Sequence, residues 1–168
     1  GTLREDGYQN LVVGGISSLG KFFYEFQSLI KWLKSKGLLL AISSKNNLID
    51  VKKAFEYLMS PLSFSDFVIV KTNDQPKSFH IKDISNQLNL SLSDFVFLDD
   101  TKHERCEVSN AIPELSVPEL SCDQFGWLEI LMNDLRFKKT VINYSKKNNS
   151  NRTEIYQKRN SRQLLMPK

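Results

Sequence analysis

Apolar residues recur three and four apart through residues 19–36: Leu19, Phe22, Phe23, Phe26, Leu29, Ile30 and Leu33. Lys21, Glu25, Lys31, Lys34 and Lys36 fall mostly between them. A helix of 3.6 residues per turn gathers the first set on one face and the charges on the other, and Gly37 follows as a stop signal. The spacing predicts an amphipathic helix whose aromatic face packs on a sheet. Residues 38–42 are then a continuous apolar run between a glycine and a polar cluster, the pattern of a strand buried on both faces. The alternation continues with a helix from about Leu48 to Leu58, a strand at Phe67 to Val70 and a helix from about Ser78 to Leu88. A strand at Phe95 to Leu98, a helix from about Glu104 to Ala111 and a short strand near Leu115 to Val117 complete it. Strands alternating with helices across short links predict an α/β fold with a parallel sheet covered by helices on both sides.

In such sheets ligands bind in the crevice at the carboxyl ends of the strands. The strand at 38–42 runs out into Ser43, Ser44, Lys45 and Asn46, and the strand at 95–98 into Asp99, Asp100 and Thr101. Pro76 precedes Lys77 at the start of the third helix, so a helix N-terminus and an ammonium are both expected at the crevice, where they attract phosphate. Adjacent carboxylates at Asp99 and Asp100 repel each other unless a cation or hydrogen bonds neutralise them, so removing their charge is expected to stabilise a metal-free domain. Magnesium takes one or two carboxylates, several waters and a phosphate oxygen, which makes Asp99 and Asp100 candidate ligands. Glu104, four residues after Asp100, is expected within reach of the same ion or its water shell. The alternative is an acidic helix start, with an aspartate as cap. Taken singly, Ser44 reads as a turn or cap residue and Lys77 as a solvated charge. Their order, a hydroxyl, then a lysine, then paired aspartates after successive strands, is what marks them as phosphate-binding candidates.

The 168 residues, 40% of them hydrophobic, suffice for one domain with one core. No apolar run is long enough to span a bilayer and the start lacks a signal-peptide pattern, so a soluble cytoplasmic protein with no membrane partner is expected. The net charge of +4 conceals an asymmetry, because residues 134–168 hold ten Lys or Arg against two acids. Such a tail is either a solvated surface helix and loop or a seat for an acidic partner protein; nucleic acid is not the expected partner. Cys106 and Cys122 form no CxxC pair and are read as reduced packing residues. His80 is expected to be a core or surface imidazole, and His103 lies beside the acidic pair.

The stretches 38–47 (LLLAISSKNN), 75–78 (QPKS) and 95–105 (FVFLDDTKHER) resemble the second, third and fourth motifs of the haloacid-dehalogenase-like (HAD) superfamily. Ser44-Lys45-Asn46, Asp99-Asp100 with Glu104-Arg105, and the stretches 117–120 (VPEL) and 152–156 (RTEIY) look like its FkbH-like branch. The resemblance implies a Rossmann-like three-layer α/β/α sandwich, in which an aspartate on the first strand attacks phosphorus to form an aspartyl-phosphate. It also implies that Ser44, with Ser43 as the fallback, holds the transferring phosphoryl, that Lys77 neutralises it, that Asn46 lines the pocket, and that Asp99 and Asp100 hold Mg2+. The family's Asp-x-Asp-x-Thr motif falls upstream of Glu5-Asp6-Gly7, so the first strand and its nucleophile are expected outside this sequence and the chain alone is expected to be inactive. Residues 1–133 then form the core, and 134–168 a basic helix and tail that begin a following region. FkbH-like domains are associated with transfer of a glyceryl unit from a phosphorylated three-carbon metabolite to an acyl carrier protein, in polyketide or polysaccharide biosynthesis. Cys106 is the nearest thiol to the acidic pair and is expected to be too buried to receive an acyl group. A general small-metabolite phosphatase and an inactive fragment that binds a partner through its tail are the alternatives.

Overall fold

The structure, a computed structural model, describes residues 17–57, 60–120, 126–134, 137–138 and 152–164. Asp6, Cys122 and much of the basic tail lie outside the described residues. Helix α1, Ser18–Ser35, starts where the Ser17 hydroxyl accepts a hydrogen bond from the Gly20 amide at 3.1 Å. It stops at Gly37, whose φ of 92° suits only a residue without a β-carbon. Strand β1, Leu40–Ser44, leads to α2, Leu48–Tyr57, which is capped by the Asn47 side chain, whose Oδ1 accepts the Asp50 amide at 2.8 Å. A single 3-10 turn, Phe64–Asp66, feeds β2, Phe67–Thr72. Helix α3, Lys77–Leu88, ends at Asn89 in the left-handed region. Then come α4, Lys102–Ala111, α5, Trp127–Asn133, and α6, Arg152–Leu164. The helix α5 is absent from the periodicity reading, because its seven residues make only two turns. Among the described residues no helix is long and apolar enough to cross a membrane.

The sheet is in two pieces. Strands β1 and β2 pair in parallel, from Leu40 opposite Phe67 to Ser44 opposite Thr72. The second piece is a parallel bridge between Val96 and Ser116, made by the Phe97 amide on the Ser116 carbonyl at 2.8 Å and the Ser116 amide on the Phe95 carbonyl at 3.4 Å. The stretches 95–98 and 115–117 are thus extended neighbours, as their apolar pattern predicts, but shorter than regular strands. Between the two pieces lies a cavity of about 780 Å3, lined by Leu38 to Ala41 on one side and Phe95 to Leu98 on the other. This gap corrects the expectation of two-sided burial at 38–42: only Leu40 of β1 is buried and Ala41 is exposed.

Alternation along 95–98 assigns the two faces. Val96 and Leu98 pack with Leu33, Leu131 and Phe137 under α1 and α5, whereas Phe97 packs with Ile81, Val108, Ile112 and Leu115 under α3 and α4. Trp127 meets Phe22 and Phe26 edge-on, at 5.9 and 5.8 Å between ring centroids. Such pairs add about 0.5–1.5 kcal/mol beyond their buried area. Helix α6 docks on β2, where the Gln157 amide donates to the Phe67 carbonyl at 3.0 Å and Tyr156 packs against the Val68, Ile69, Ile84 and Leu88 cluster. The architecture is therefore helix, parallel sheet, helix: an α/β three-layer arrangement of the Rossmann-like kind.

Asp66 ties α1 to the start of β2. Its carboxylate pairs with the Lys34 ammonium at 2.6 Å and accepts the Ser63 amide at 2.8 Å. Burial alone pushes its pKa up, but the Lys34 ammonium and the Ser63 bonds outweigh that and hold it below 3.8. A carboxyl depressed on folding stabilises the fold above its unfolded value and loses that contribution as pH falls through the folded value. Replacing Asp66→Asn is expected to cost about 2 kcal/mol in urea unfolding at pH 7. The difference from the parent chain should shrink as pH falls below 3.8.

Candidate functional site

The carboxyl ends of the parallel segments meet the N-termini of α3 and α4. Lys77, the first residue of α3, forms an ion pair with Asp99, the residue that follows the 95–98 stretch. Both side chains are largely buried, and the Lys77 ammonium also lies 5.9 Å from the centre of the Phe97 ring. The other Asp99 oxygen accepts the Thr101 amide at 2.9 Å. Asp100 is exposed and accepts the Thr101 hydroxyl at 3.3 Å. Lys45, just past β1, forms an ion pair with the buried Glu104 of α4. That hydrogen bond raises the Lys45 pKa; desolvation opposes it, and the Glu104, Glu107 and Asp99 charges add to the rise. Glu107 accepts the Ser78 hydroxyl at 2.5 Å and the Ser78 amide at 3.3 Å, so a carboxylate already occupies part of the α3 N-terminus.

Arg105 holds the acidic turn from beneath. It is only 4% exposed, and its guanidinium donates to the Asp99 and Asp100 carbonyls, each at 2.9 Å, and to the Leu120 carbonyl at 3.2 Å. A further bond at 3.0 Å reaches Glu119. Helix α4 thus fixes the backbone that carries the aspartates.

The two serines at the end of β1 differ in what their protons do. Asn73 accepts the Gln75 amide on Oδ1 at 2.9 Å, so the His80 Nε2 2.6 Å from the same oxygen is the protonated nitrogen. Burial, then the Lys71 charge, pushes the His80 pKa down, so the ring is neutral and its Nδ1 is an acceptor. Ser43, 2.8 Å away, therefore donates its proton to Nδ1. Ser44 instead accepts twice, from the Asn46 amide at 3.1 Å and the Asn46 side-chain nitrogen at 3.2 Å, which leaves its own O–H free to donate. The Asn46 Oδ1 is buried with no hydrogen-bond partner among the described residues. Among the described residues the crevice therefore offers the Ser44 hydroxyl as a donor and the Asn46 Oδ1 as an acceptor.

The structure brings Lys77 to Asp99 and Lys45 to Glu104. It puts Ser44 at the same end of the sheet, where its carbonyl accepts the Asn73 amide at 3.2 Å. Among the described residues no three His, Cys, Asp or Glu side chains gather as a metal site. Asp99, Asp100 and Glu104 each face a different partner, yet every donor is a carboxylate oxygen, the ligand type that magnesium takes, and Asp100 has no ion pair among the described residues. The donor set fits magnesium in chemistry, with the Lys77 and Lys45 ammoniums now supplying the positive charge. Two expectations change. Removing both aspartate charges does not simply relieve repulsion, because Lys77 would lose its buried partner. Cys106 is exposed on α4, not packed, since the helix turns Arg105 and Val108 inward. His103 is exposed as well. Lys45 and Glu107 were missed as site neighbours because their partners, Glu104 and Ser78, lie 59 and 29 residues away in sequence, and His80 because its hydroxyl partner Ser43 lies 37 away.

A histidine held neutral by folding binds fewer protons than the unfolded chain, so it contributes stability that is lost as pH falls below 6.5. Replacing His80→Gln is expected to flatten the dependence of urea midpoint on pH between about 7 and 5, a window set by the unfolded histidine value. An unchanged slope would show that His80 titrates freely. Arg105→Met is expected to cost about 3 kcal/mol, because the buried Leu120 carbonyl and the partly buried Asp99 and Asp100 carbonyls lose their donor.

No family model and no curated protein matches the chain. Among solved structures it is similar to the N-terminal part of the protein BF1531 from Bacteroides fragilis, described as containing a phosphatase domain and complexed with Mg. The two share 34% sequence identity with a TM-score of 0.73, over 84% of this chain and 36% of that one. The chain thus spans little more than a third of the structure it matches. At that identity and over that length, the split sheet and the crevice at its carboxyl end belong to a phosphatase-like α/β fold.

Proposed function

We propose that the crevice binds a phosphorylated small molecule and takes part in Mg2+-dependent phosphoryl transfer. The observation that supports this most directly is the pairing of Lys77 at the N-terminus of α3 with Asp99 at the end of the 95–98 stretch. A cation and a carboxylate are held together there, partly dehydrated, at the strand ends, and the similar solved domain is a phosphatase domain complexed with Mg. Magnesium, when bound, would neutralise charge on the phosphoryl oxygens. Asp99 and Asp100 would hold it, with Glu104 at the edge of its water shell. Lys77, at the N-terminus of α3, would offer its ammonium to the phosphoryl group. Ser44 donates its free O–H to a phosphoryl oxygen, and the unused Asn46 carbonyl accepts a substrate hydroxyl. Ser43 is the weaker candidate, because its proton is held by His80.

The finer reading is the FkbH-like one: removal of phosphate from a phosphorylated three-carbon metabolite and transfer of its glyceryl unit to an acyl carrier protein. Exposure of Cys106 on the helix after the acidic turn favours it, and the basic residues of α6 suit an acidic carrier. The attacking aspartate is assigned to polypeptide upstream of Glu5, so residues 1–168 bind phosphate without turning it over.

The test is magnesium-dependent release of phosphate from an aryl phosphate, by residues 1–168 and by the same chain extended upstream. Release is expected from the extended protein only, and Asp99→Asn with Asp100→Asn should lower it by about a thousandfold or more. Equal rates from both proteins would place the nucleophile within residues 1–168 and refute the assignment. Retention of activity by the double variant would remove the metal site.

A further inference from the structure

His80 is 1% exposed, and nothing in the phosphoryl-transfer chemistry uses it. Its place is nonetheless at that site, about one turn along α3 from Lys77. The ring bridges two elements: Nδ1 accepts the Ser43 proton at the end of β1 at 2.8 Å, and Nε2 donates to the Asn73 Oδ1, just past β2, at 2.6 Å. Asn73 closes the circuit. Its amide donates to the Ser44 carbonyl at 3.2 Å, continuing the β1–β2 ladder, and its Oδ1 also accepts the Gln75 amide at 2.9 Å. Ser44 is therefore held through its own carbonyl on one side and through its covalent neighbour Ser43 on the other, and both tethers run to the same imidazole. The helix is gripped as well, because the Pro76 carbonyl accepts the Phe79 and His80 amides at 3.0 and 3.3 Å. Burying an imidazole with both nitrogens paired costs solvation that an apolar side chain would not, so packing alone does not account for a histidine here.

We propose that His80 is a positioning residue of the crevice: it locks the end of β1 and the 73–76 link to the first turn of α3, and so fixes where the Ser44 hydroxyl stands relative to the Lys77 ammonium. The lock depends on how many protons the ring carries. A ring protonated on Nε2 alone accepts from Ser43 and donates to Asn73. A doubly protonated ring has no acceptor, so Ser43 must turn its own proton away, and the bond between β1 and α3 is remade around a buried charge. The surroundings disfavour that charge. Burial is the main reason, followed by the Lys71 charge of β2; Lys77 of α3 adds to it, while Asp83 of α3, itself paired with Lys71 at 2.5 Å, opposes it. Ser43 of β1 and Asn73 of the link face the ring with neutral groups. The ring thus charges only below 6.5. An anion in the crevice should be held above that pH and lose part of its hold below it.

The role in anion binding rests on the phosphoryl-transfer reading, so one arm of the experiment contains no anion. In the full-length protein, nitrogen NMR of the His80 ring against pH should show a midpoint that the Ser44 and Asn46 amide signals share. In the second arm the probe is sulfate in saturating Mg2+, because sulfate, unlike phosphate, keeps its charge between about pH 5 and 8. Its affinity should fall about fivefold or more as His80 charges, the worth of one hydrogen bond. Asn73→Asp, at an exposed position, keeps the acceptor oxygen but sets a carboxylate on Nε2, so it should raise both midpoints together and bring the step well inside that range. His80→Gln should leave sulfate affinity level across the range. His103→Gln, which removes the exposed imidazole beside the acidic pair, should leave the step in place. Ser44 and Asn46 signals indifferent to the His80 titration would overturn the proposal, and so would a sulfate step that stays put in Asn73→Asp or vanishes in His103→Gln. Sulfate unbound at every pH, with the coupled signals intact, would instead overturn the phosphoryl-transfer reading and leave the lock supported.

Discussion

Two neighbouring carboxylates at the end of an apolar strand demand positive charge, and the molecule meets that demand from three elements at once. Lys77 comes from the start of α3 and neutralises Asp99. Arg105 comes from the first turns of α4 and binds the carbonyls of both aspartates rather than their side chains. Lys45 comes from the end of β1 and takes Glu104, one turn into α4. The two lysine contacts cross from one strand–helix connection to another, while Arg105 braces the turn that leads into its own helix, so the acidic turn also fixes how the helices sit on the sheet ends. Arg105 extends the arrangement to Leu120 and Glu119. A guanidinium suits this work because its planar fork bonds several carbonyls together and keeps its charge when buried.

The same geometry separates roles that look alike in composition. Ser43 and Ser44 are adjacent, but consecutive strand residues face opposite sides of a sheet. One meets His80 on α3 and gives up its proton, while the other meets Asn46 in the loop and keeps it. Glu104 and Glu107 are both on α4, three residues apart on one face. The first takes the Lys45 ammonium, and the second caps α3 through Ser78. Lys45, Lys77 and Arg105 face Asp99, Asp100, Glu104, Glu107 and Glu119, so the crevice keeps an excess of negative charge, and an entering phosphate or cation would exchange partners with groups already paired.

Beyond the crevice, the basic C-terminal helix is more than a solvated surface. The guanidinium of Arg152 donates to the Gly37 carbonyl at 2.9 Å and lies 5.8 Å from the Tyr156 ring centre. Those contacts satisfy the carbonyl left open where α1 ends, and Thr153 is buried beside them. The outward charges of α6, at Lys158, Arg159 and Arg162, remain exposed to solvent. Docking of its inner face and exposure of its outer face are independent, because a helix presents the two sets of residues on opposite sides.

The sequence by itself determined most of the element order. The heptad-like spacing of Phe22, Phe26, Ile30 and Leu33 specifies α1, and the apolar runs at 67–70 and 95–98 mark extended segments between helices, because local periodicity reports directly on which face is buried. It also marked Ser44, Lys77, Asp99 and Asp100, since residues that follow a strand in a parallel sheet are delivered to one end whatever the details of packing. Tertiary structure alone decided the partners. Lys45 with Glu104 is a contact across 59 residues, and Ser43 with His80 one across 37. No local pattern encodes such pairs. The exposure of Cys106, the proton assignment of His80 and the open place beside β1 were likewise beyond reach of the sequence. Each depends on what surrounds a group in space, and neighbours in space are set by how the strands and helices pack, not by the residues on either side in the chain.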